Sequence, residues 1–567
     1  MKLVLPFLLK KSYEFRIIFL SVLGSFYLFI QRNPILYVKR EEKGGYLFSS
    51  VCSGTVFGLQ SYLIQVEVDV SSGLPCFVMV GSLGGEVRES AERVRIALKN
   101  AGISLPPMHV SINMSPADIH KAGTGFDLPV AIGLLKALGK LKNTIVDKTF
   151  VIGELGLDGE VKPVTGILPL VWEAFQKGMR YCMVPAENFK EAALVEGIHV
   201  AGVHSLQEAV ELFRLEEEML QKRIQTDTKQ QQGRNVFKSS DDGMDFSDIC
   251  GQEVLKRGAM ISAAGFHHMV IVGPPGAGKT MVARRMETIL PEMSYEESME
   301  VTSIYSIAGK LSRENPLMQK RPFLSPHHTV TERALSGGGR FPVPGLVSLA
   351  HHGVLFLDEM PEFQRHTIDL LRQPLEEKKI SIARSSGTFT YPADFILIGA
   401  MNLCPCGYYP DQNKCTCTPY ERHQYLSHLS GPILDRIDLC LEARKIEISQ
   451  LQQTRKGISS KEMRERVLVA RKRQERRYQG RKINFNSELN GKEFEQFCRL
   501  ENAEKELAAH IYEQMQLSAR AYHRMLRVAR TIADLEDSEK IKTEHLTEAM
   551  CYRTTGILGR ESKIEKL

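Results

Sequence analysis

Eight consecutive residues, Gly273, Pro274, Pro275, Gly276, Ala277, Gly278, Lys279 and Thr280, carry the densest chemical signal in the sequence. The glycines let backbone N–H groups approach an anion, and a helix beginning at their end would add positive dipole. The spacing fits G-x-x-x-x-G-K-[ST], in which the lysine reaches the β- and γ-phosphates of a nucleoside triphosphate and the hydroxyl ligates Mg²⁺. Asp358 and Glu359 supply a second half: one carboxylate suits the Mg²⁺ shell, the other can polarise an attacking water. Asn402 can orient the same water. Arg436 and Arg520 are candidate cations for the γ-phosphate, whose charge the phosphate loop alone does not neutralise.

These residues need elements to hold them. The apolar run Met269 to Val272 reads as a strand feeding the loop, and the stretch from Met281 to Leu290 as the helix that follows. Val354 to Leu357 and Phe395 to Asn402 read as buried strands that carry Asp358–Glu359 and the polar tip Asn402 to the carboxyl edge of a sheet, where ligands of α/β folds collect. Residues 246–445 alternate strand, loop and helix and predict a parallel α/β domain. Ahead of them, 47–215 alternates short strands (Tyr62 to Val70, His109 to Asn113) with helices, including one over Glu86 to Ala101. Residues 216–245 are polar and read as a linker. From 446 to 567 the pattern is helical and charged.

The chain has 567 residues, 43% apolar and 25% charged, which excludes a disordered, collagenous or multi-spanning chain. Its formal charge of +6 sits almost wholly in residues 1–46, with eight Lys and Arg against three Asp and Glu. Within that segment Ile17 to Ile30 is apolar but short of the roughly 20 residues that span a bilayer. Lys43-Gly44-Gly45 can be encoded by a bacterial ribosome-binding sequence, with Leu47 as a start codon two positions on. Residues 1–46 are therefore expected to be a non-native leader, with a membrane anchor as the alternative. The remainder is nearly neutral, so any nucleic-acid contact has to come from local patches.

Two such patches stand out. Leu375 to Pro392 alternates like a hairpin, with Lys378, Lys379 and Arg384 expected on its exposed side. Arg464 to Lys482 reads as a very basic helix, equally consistent with a solvated or subunit-contact face. Four of the 11 cysteines, Cys404, Cys406, Cys415 and Cys417, fall within fourteen residues and could ligate Zn²⁺ through thiolates. Reduced thiols in a loop are the alternative.

The order of these motifs resembles the AAA+ ATPases and, within them, the magnesium-chelatase-like YifB/ComM family. The residues that carry the likeness are Ser247 to Gln252, Ser325-Pro-His327-His328, Gly337 to Gly339 with Pro344-Gly345, Gly353 to Phe363, Leu429 to Pro432 and Val528 to Asp534. The resemblance implies an AAA+ P-loop core with a helical lid, preceded by a ribosomal-S5/Lon-like α+β domain. It implies ATP and Mg²⁺ as cofactors, Asn402 as sensor 1, Arg436 as an arginine finger acting in trans, Arg520 as sensor 2, and a homo-oligomeric ring, usually a hexamer, in the cytoplasm. The ComM branch implies ATP-driven DNA branch migration that helps transforming DNA integrate. A motor remodelling a protein partner, as in magnesium chelatase, and a nucleotide-regulated scaffold are the rival readings. The Ser–Lys dyad of Lon peptidases is missing, since the corresponding positions fall near Phe126 or Asp127 and near Leu170. Proteolysis is therefore not expected, and Ser111, Ser115 and Thr124 read as strand or turn residues.

Overall fold

The computed structural model describes residues 47–141, 143–232, 243–339, 342–384, 387–411, 413–445 and 457–553. The expectation for residues 1–46 lies outside them. Among the described residues no helix is long and apolar enough to cross a membrane.

The amino-terminal part is built on a seven-stranded mixed sheet. Its strands are β1 (Leu47–Phe57), β2 (Gln60–Ser71), β3 (Cys76–Val80), β4 (His109–Ser115), β5 (Thr149–Val151), β6 (Tyr181–Pro185) and β7 (His199–Val203), in the order β3-β4-β2-β1-β5-β6-β7. In β2, Ile64, Val66, Val68 and Val70 are buried while Gln65, Glu67 and Asp69 between them are only half-buried. This is the period-two pattern of a strand with one face on a core. Helix Asp127–Ala137 lies on that face and is buried on all sides. The helix expected over Glu86 to Ala101 is two helices, Gly85–Arg88 and Ser90–Asn100.

The polar stretch read as a linker from 216 is helical over Glu217–Gln232. Its composition hides an i,i+4 pair, Leu220 and Ile224, that is buried in the amino-terminal core. Glu217 adds bonds to Lys148 and Tyr181.

The second sheet has five strands, all parallel: β8 (Met269–Val272), β9 (Phe323–Leu324), β10 (Val354–Leu357), β13 (Ile396–Met401) and β14 (Leu439–Glu442), in the order β9-β10-β13-β8-β14. Successive residues serve different cores. Met269, Ile271, Val354, Phe356, Ile396 and Ile398 point into one cluster, and Val270, Val272, Leu355, Leu357 and Leu397 into another. Both faces are covered, which is why these strands are apolar without interruption. The carboxy-terminal helices Ser460–Tyr478 and Ala519–Leu535 share the first of these cores through Met463, Val467, Met525, Ala529 and Ile532.

Between β10 and β13 a hairpin, β11 (Lys379–Arg384) and β12 (Gly387–Pro392), pairs Lys379 with Pro392 through to Arg384 with Gly387. One side of it, Ile380, Ile382, Phe389 and Tyr391, packs with Phe57 and Leu59 at the β1–β2 turn. The rings of Phe57 and Phe389 stand 4.4 Å apart. Lys378 corrects the expectation of an exposed hairpin lysine. It precedes the hairpin in a left-handed conformation (φ 56°) and is paired with Asp394 at 2.9 Å and with Glu488. Lys379 and Arg384 are exposed, as expected.

Candidate functional site: a phosphate loop between three strand ends

The phosphate loop leaves β8 at Gly273, where a Cβ would stand 2.4 Å from the Ala443 carbonyl oxygen, so no side chain fits. Gly276 and Gly278 take φ of 75° and 86°, and helix Lys279–Ile289 starts directly behind them. The Lys279 ammonium donates to the Gly273 and Pro274 carbonyls (2.7 and 3.0 Å) and to Asn402 Oδ1 (2.9 Å). Burial lowers its pKa against the opposing pull of Asp358 and Glu359. Thr280 donates its hydroxyl hydrogen to Asp358 Oδ2 at 2.8 Å. A hydroxyl and a carboxylate oxygen so placed, with an exposed second carboxylate beside them, form a hard oxygen donor set of the type Mg²⁺ takes.

Glu359 sits at the end of β10 in a left-handed conformation (φ 50°) and donates its N–H to Asp358 Oδ1 at 3.0 Å. Its carboxylate is largely exposed and lies 3.9 Å from His328 Nδ1. His328 in turn stacks on His327 with ring centroids 4.1 Å apart.

Arg436 and Arg520 come from other elements, Arg436 just behind helix Gly431–Leu434 and Arg520 in helix Ala519–Leu535. Arg436 donates to the Pro432 carbonyl at 2.6 Å and pairs with Glu376, at the end of helix Arg372–Glu377. The same carboxylate is held below its ordinary pKa by Arg436 first, with Arg520 and Arg524 adding to it. Arg520 is exposed in the first turn of helix Ala519–Leu535.

Residues 245–451 match the family described as magnesium chelatase, subunit ChlI. Residues 66–188 match subunit ChlI of Mg-chelatase, and 457–553 its carboxy-terminal part. The chain is 40% identical over 506 residues to uncharacterized protein YifB of Escherichia coli, covering 89% of this chain and 97% of that protein. It is 39% identical over 505 residues to competence protein ComM of Haemophilus influenzae, with the same coverage. The chain belongs to the YifB/ComM family of magnesium-chelatase-like proteins. A magnesium-chelatase 38 kDa subunit of Rhodobacter capsulatus is 30% identical over 173 residues, 28% of this chain and 49% of that one. The YifB/ComM chain thus has the mixed α/β, P-loop architecture of AAA+ proteins, a family to which ATP hydrolysis belongs.

Two contacts tie the Ser247–Gln252 stretch to the phosphate loop and the helix behind it. Gln252, in a left-handed conformation (φ 56°), donates from one side-chain amide to the Ala277 carbonyl at 2.9 Å and the Arg444 carbonyl at 2.6 Å. It ties the phosphate loop to the segment leaving β14. Replacing it by Leu leaves two carbonyls short of a donor, at about 1 kcal/mol for the pair. ATP affinity measured by titration calorimetry should fall about fivefold, with the melting temperature little changed. Arg285 similarly clamps Asp248 at 2.8 Å and the Asp245 carbonyl at 2.6 Å, fixing the segment ahead of Gln252.

In the amino-terminal domain, Asp127 accepts from Arg93 at 2.7 and 3.0 Å and from the Leu155 N–H, while Phe126 and Leu170 are buried in its cores. The four cysteines of the cluster stand together on the loop after Asn402, with all their sulfurs within 4.8 Å of one another.

Proposed function

We propose that this protein is a Mg²⁺-dependent ATP hydrolase that works as a homo-oligomeric ring, a hexamer, and uses the energy to remodel DNA by branch migration. The observation that carries the ATPase reading is the convergence of Lys279, Thr280, Asp358, Glu359 and Asn402 at one sheet edge, through bonds of 2.7–3.0 Å. Backbone N–H groups of the glycine-rich loop bind the phosphates, and Lys279 moves from its loop carbonyls to their oxygens. Thr280 and Asp358 hold Mg²⁺, which screens the phosphate charge. Glu359 orients a water and takes its proton, and Asn402 fixes that water against the γ-phosphate. Arg436 reaches the site of the next subunit, which is why a ring is needed. Zn²⁺ on Cys404, Cys406, Cys415 and Cys417 completes the cofactors.

DNA as substrate is supported by the likeness to competence protein ComM and by the exposed side of the β11–β12 hairpin, where Lys379 and Arg384 make sequence-independent phosphate contacts. The test measures ATP hydrolysis and strand displacement with single-stranded, duplex and four-way-junction DNA, with Lys279→Ala as the inactive control. A junction-stimulated ATPase is expected. No stimulation and no DNA binding at low salt would favour a protein-remodelling motor like that of magnesium chelatase. The double variant Lys379→Glu/Arg384→Glu should keep its basal ATPase. Its DNA affinity should fall and the salt slope of binding flatten by about one to two contacts. Unchanged affinity would remove the hairpin from the DNA path.

A further inference from the structure

The loop that follows Asn402 runs from Cys404 to Cys417 without a helix or strand among its described residues, yet it leans on the nucleotide site. Gly407 (φ 81°) lies flat against Pro275 of the phosphate loop. A Cβ there would stand 2.9 and 3.0 Å from the Pro275 ring carbons and 3.6 Å from Asn402 Nδ2. Such a loop, with little apolar side-chain content, needs a cross-link to hold that contact.

The sulfurs provide the geometry for one. Cys404 and Cys406 Sγ are 3.3 Å apart, Cys404 and Cys415 3.8 Å, and Cys406 and Cys415 3.6 Å, with Cys417 inside the same 4.8 Å cluster. A tetrahedral ion with Zn–S bonds of about 2.3 Å requires sulfurs about 3.8 Å apart. All four thiols are free and none is fully exposed. The Tyr409 N–H donates to Cys404 Sγ at 3.4 Å, the kind of outer-shell bond that fixes a thiolate. Four soft donors select Zn²⁺ over the Mg²⁺ of the neighbouring oxygen site.

The other metal-like cluster, Glu300 with His351 and His352, lacks this fit. His351 Nδ1 accepts the Asp394 N–H, so its proton sits on Nε2 and points at Glu300.

We infer that Zn²⁺ held by Cys404, Cys406, Cys415 and Cys417 is a positioning clip: it presses Gly407 onto Pro275 and Asn402, so that metal loading decides whether the phosphate loop is competent. This rests on the reading of Gly273–Thr280 as an ATP site. Without the ion the loop is free to leave, and Asn402 loses the support that directs its amide oxygen at Lys279.

The full chain, purified without chelator, should contain one zinc per chain by elemental analysis. Replacement by Co²⁺ should give the d–d and thiolate charge-transfer bands of a tetrahedral four-sulfur site. Cys415→Ser/Cys417→Ser should lose the zinc, and Cys76→Ser, a substitution outside the cluster, should retain it. Gly407→Ala keeps the four thiols and should retain zinc while binding a fluorescent ATP analogue about tenfold more weakly, as the double serine variant should. Wild-type protein lacking both stoichiometric zinc and the cobalt spectrum overturns the metal site, whatever the fate of the variants. Zinc present in a Gly407→Ala protein with wild-type nucleotide affinity overturns the positioning role. Wild-type protein that holds zinc but binds no nucleotide overturns the ATP reading and the coupling with it, and leaves the metal site standing.

Discussion

Arg436→Ala is expected to slow ATP hydrolysis by about 10³–10⁵-fold, the range over which an arginine supplied to a γ-phosphate acts, while ATP affinity changes little. The reason is where Arg436 stands. Within its own chain it is bonded to Glu376 and the Pro432 carbonyl. Lys279, by contrast, is bonded to its loop carbonyls and to Asn402, with Asp358 and Glu359 raising its pKa against burial. In the ring we propose, an arginine so placed would serve a phosphate bound by a neighbouring copy. Mixing therefore distinguishes trans action from a fold defect. Arg436→Ala chains combined with Lys279→Ala chains should recover part of the ATPase, because intact phosphate loops of the first meet intact Arg436 side chains of the second. Arg436→Lys should not recover it, since an ammonium lacks the planar two-pronged donor set of the guanidinium. Full activity of Arg436→Ala alone, or no recovery on mixing well-folded variants, would exclude the trans role.

Glu359→Gln should slow hydrolysis by about 10²–10⁴-fold, the usual contribution of a positioned proton acceptor, and leave ATP bound. The substitution keeps shape and the left-handed backbone at the strand end, along with the N–H bond from residue 359 to Asp358. It removes only the charge that can accept a proton from water. ATP-bound rings should accumulate and be visible by light scattering coupled to size exclusion. Asp358→Asn should behave differently. Its carboxylate is tied to Thr280 at 2.8 Å, so its loss weakens Mg²⁺-nucleotide binding itself. If Glu359→Gln turned over ATP at the wild-type rate, Glu359 would not be the base, and His328, 3.9 Å away, would be the next group to replace.

Several parts of this molecule are legible in the chain because they are local. The phosphate loop needs its glycines at fixed offsets from Lys279 and Thr280, and each strand that feeds the site is apolar at every position because both its faces are covered. The β11–β12 hairpin could be read from alternation alone. The helix over Glu217–Gln232 could not, because its stability comes from docking Leu220 and Ile224, which a polar composition hides. Lys378 looked like a hairpin cation, but its partners Asp394 and Glu488 arrive from the connection ahead of β13 and from the helical segment.

The sequence by itself determined what chemistry is available: a phosphate loop, two carboxylates, a polar sensor, cationic arginines and four clustered thiols. Only the tertiary structure decided which of these meet. It brought Asn402 to Lys279 and Thr280 to Asp358, set Gln252 across Ala277 and Arg444, laid Gly407 on Pro275, and paired Arg436 with Glu376. The division has a physical cause. Residue type and short spacing fix charge, hydrogen-bonding capacity and backbone freedom, but the partners of a side chain are chosen when strands and helices far apart in sequence dock on a shared core.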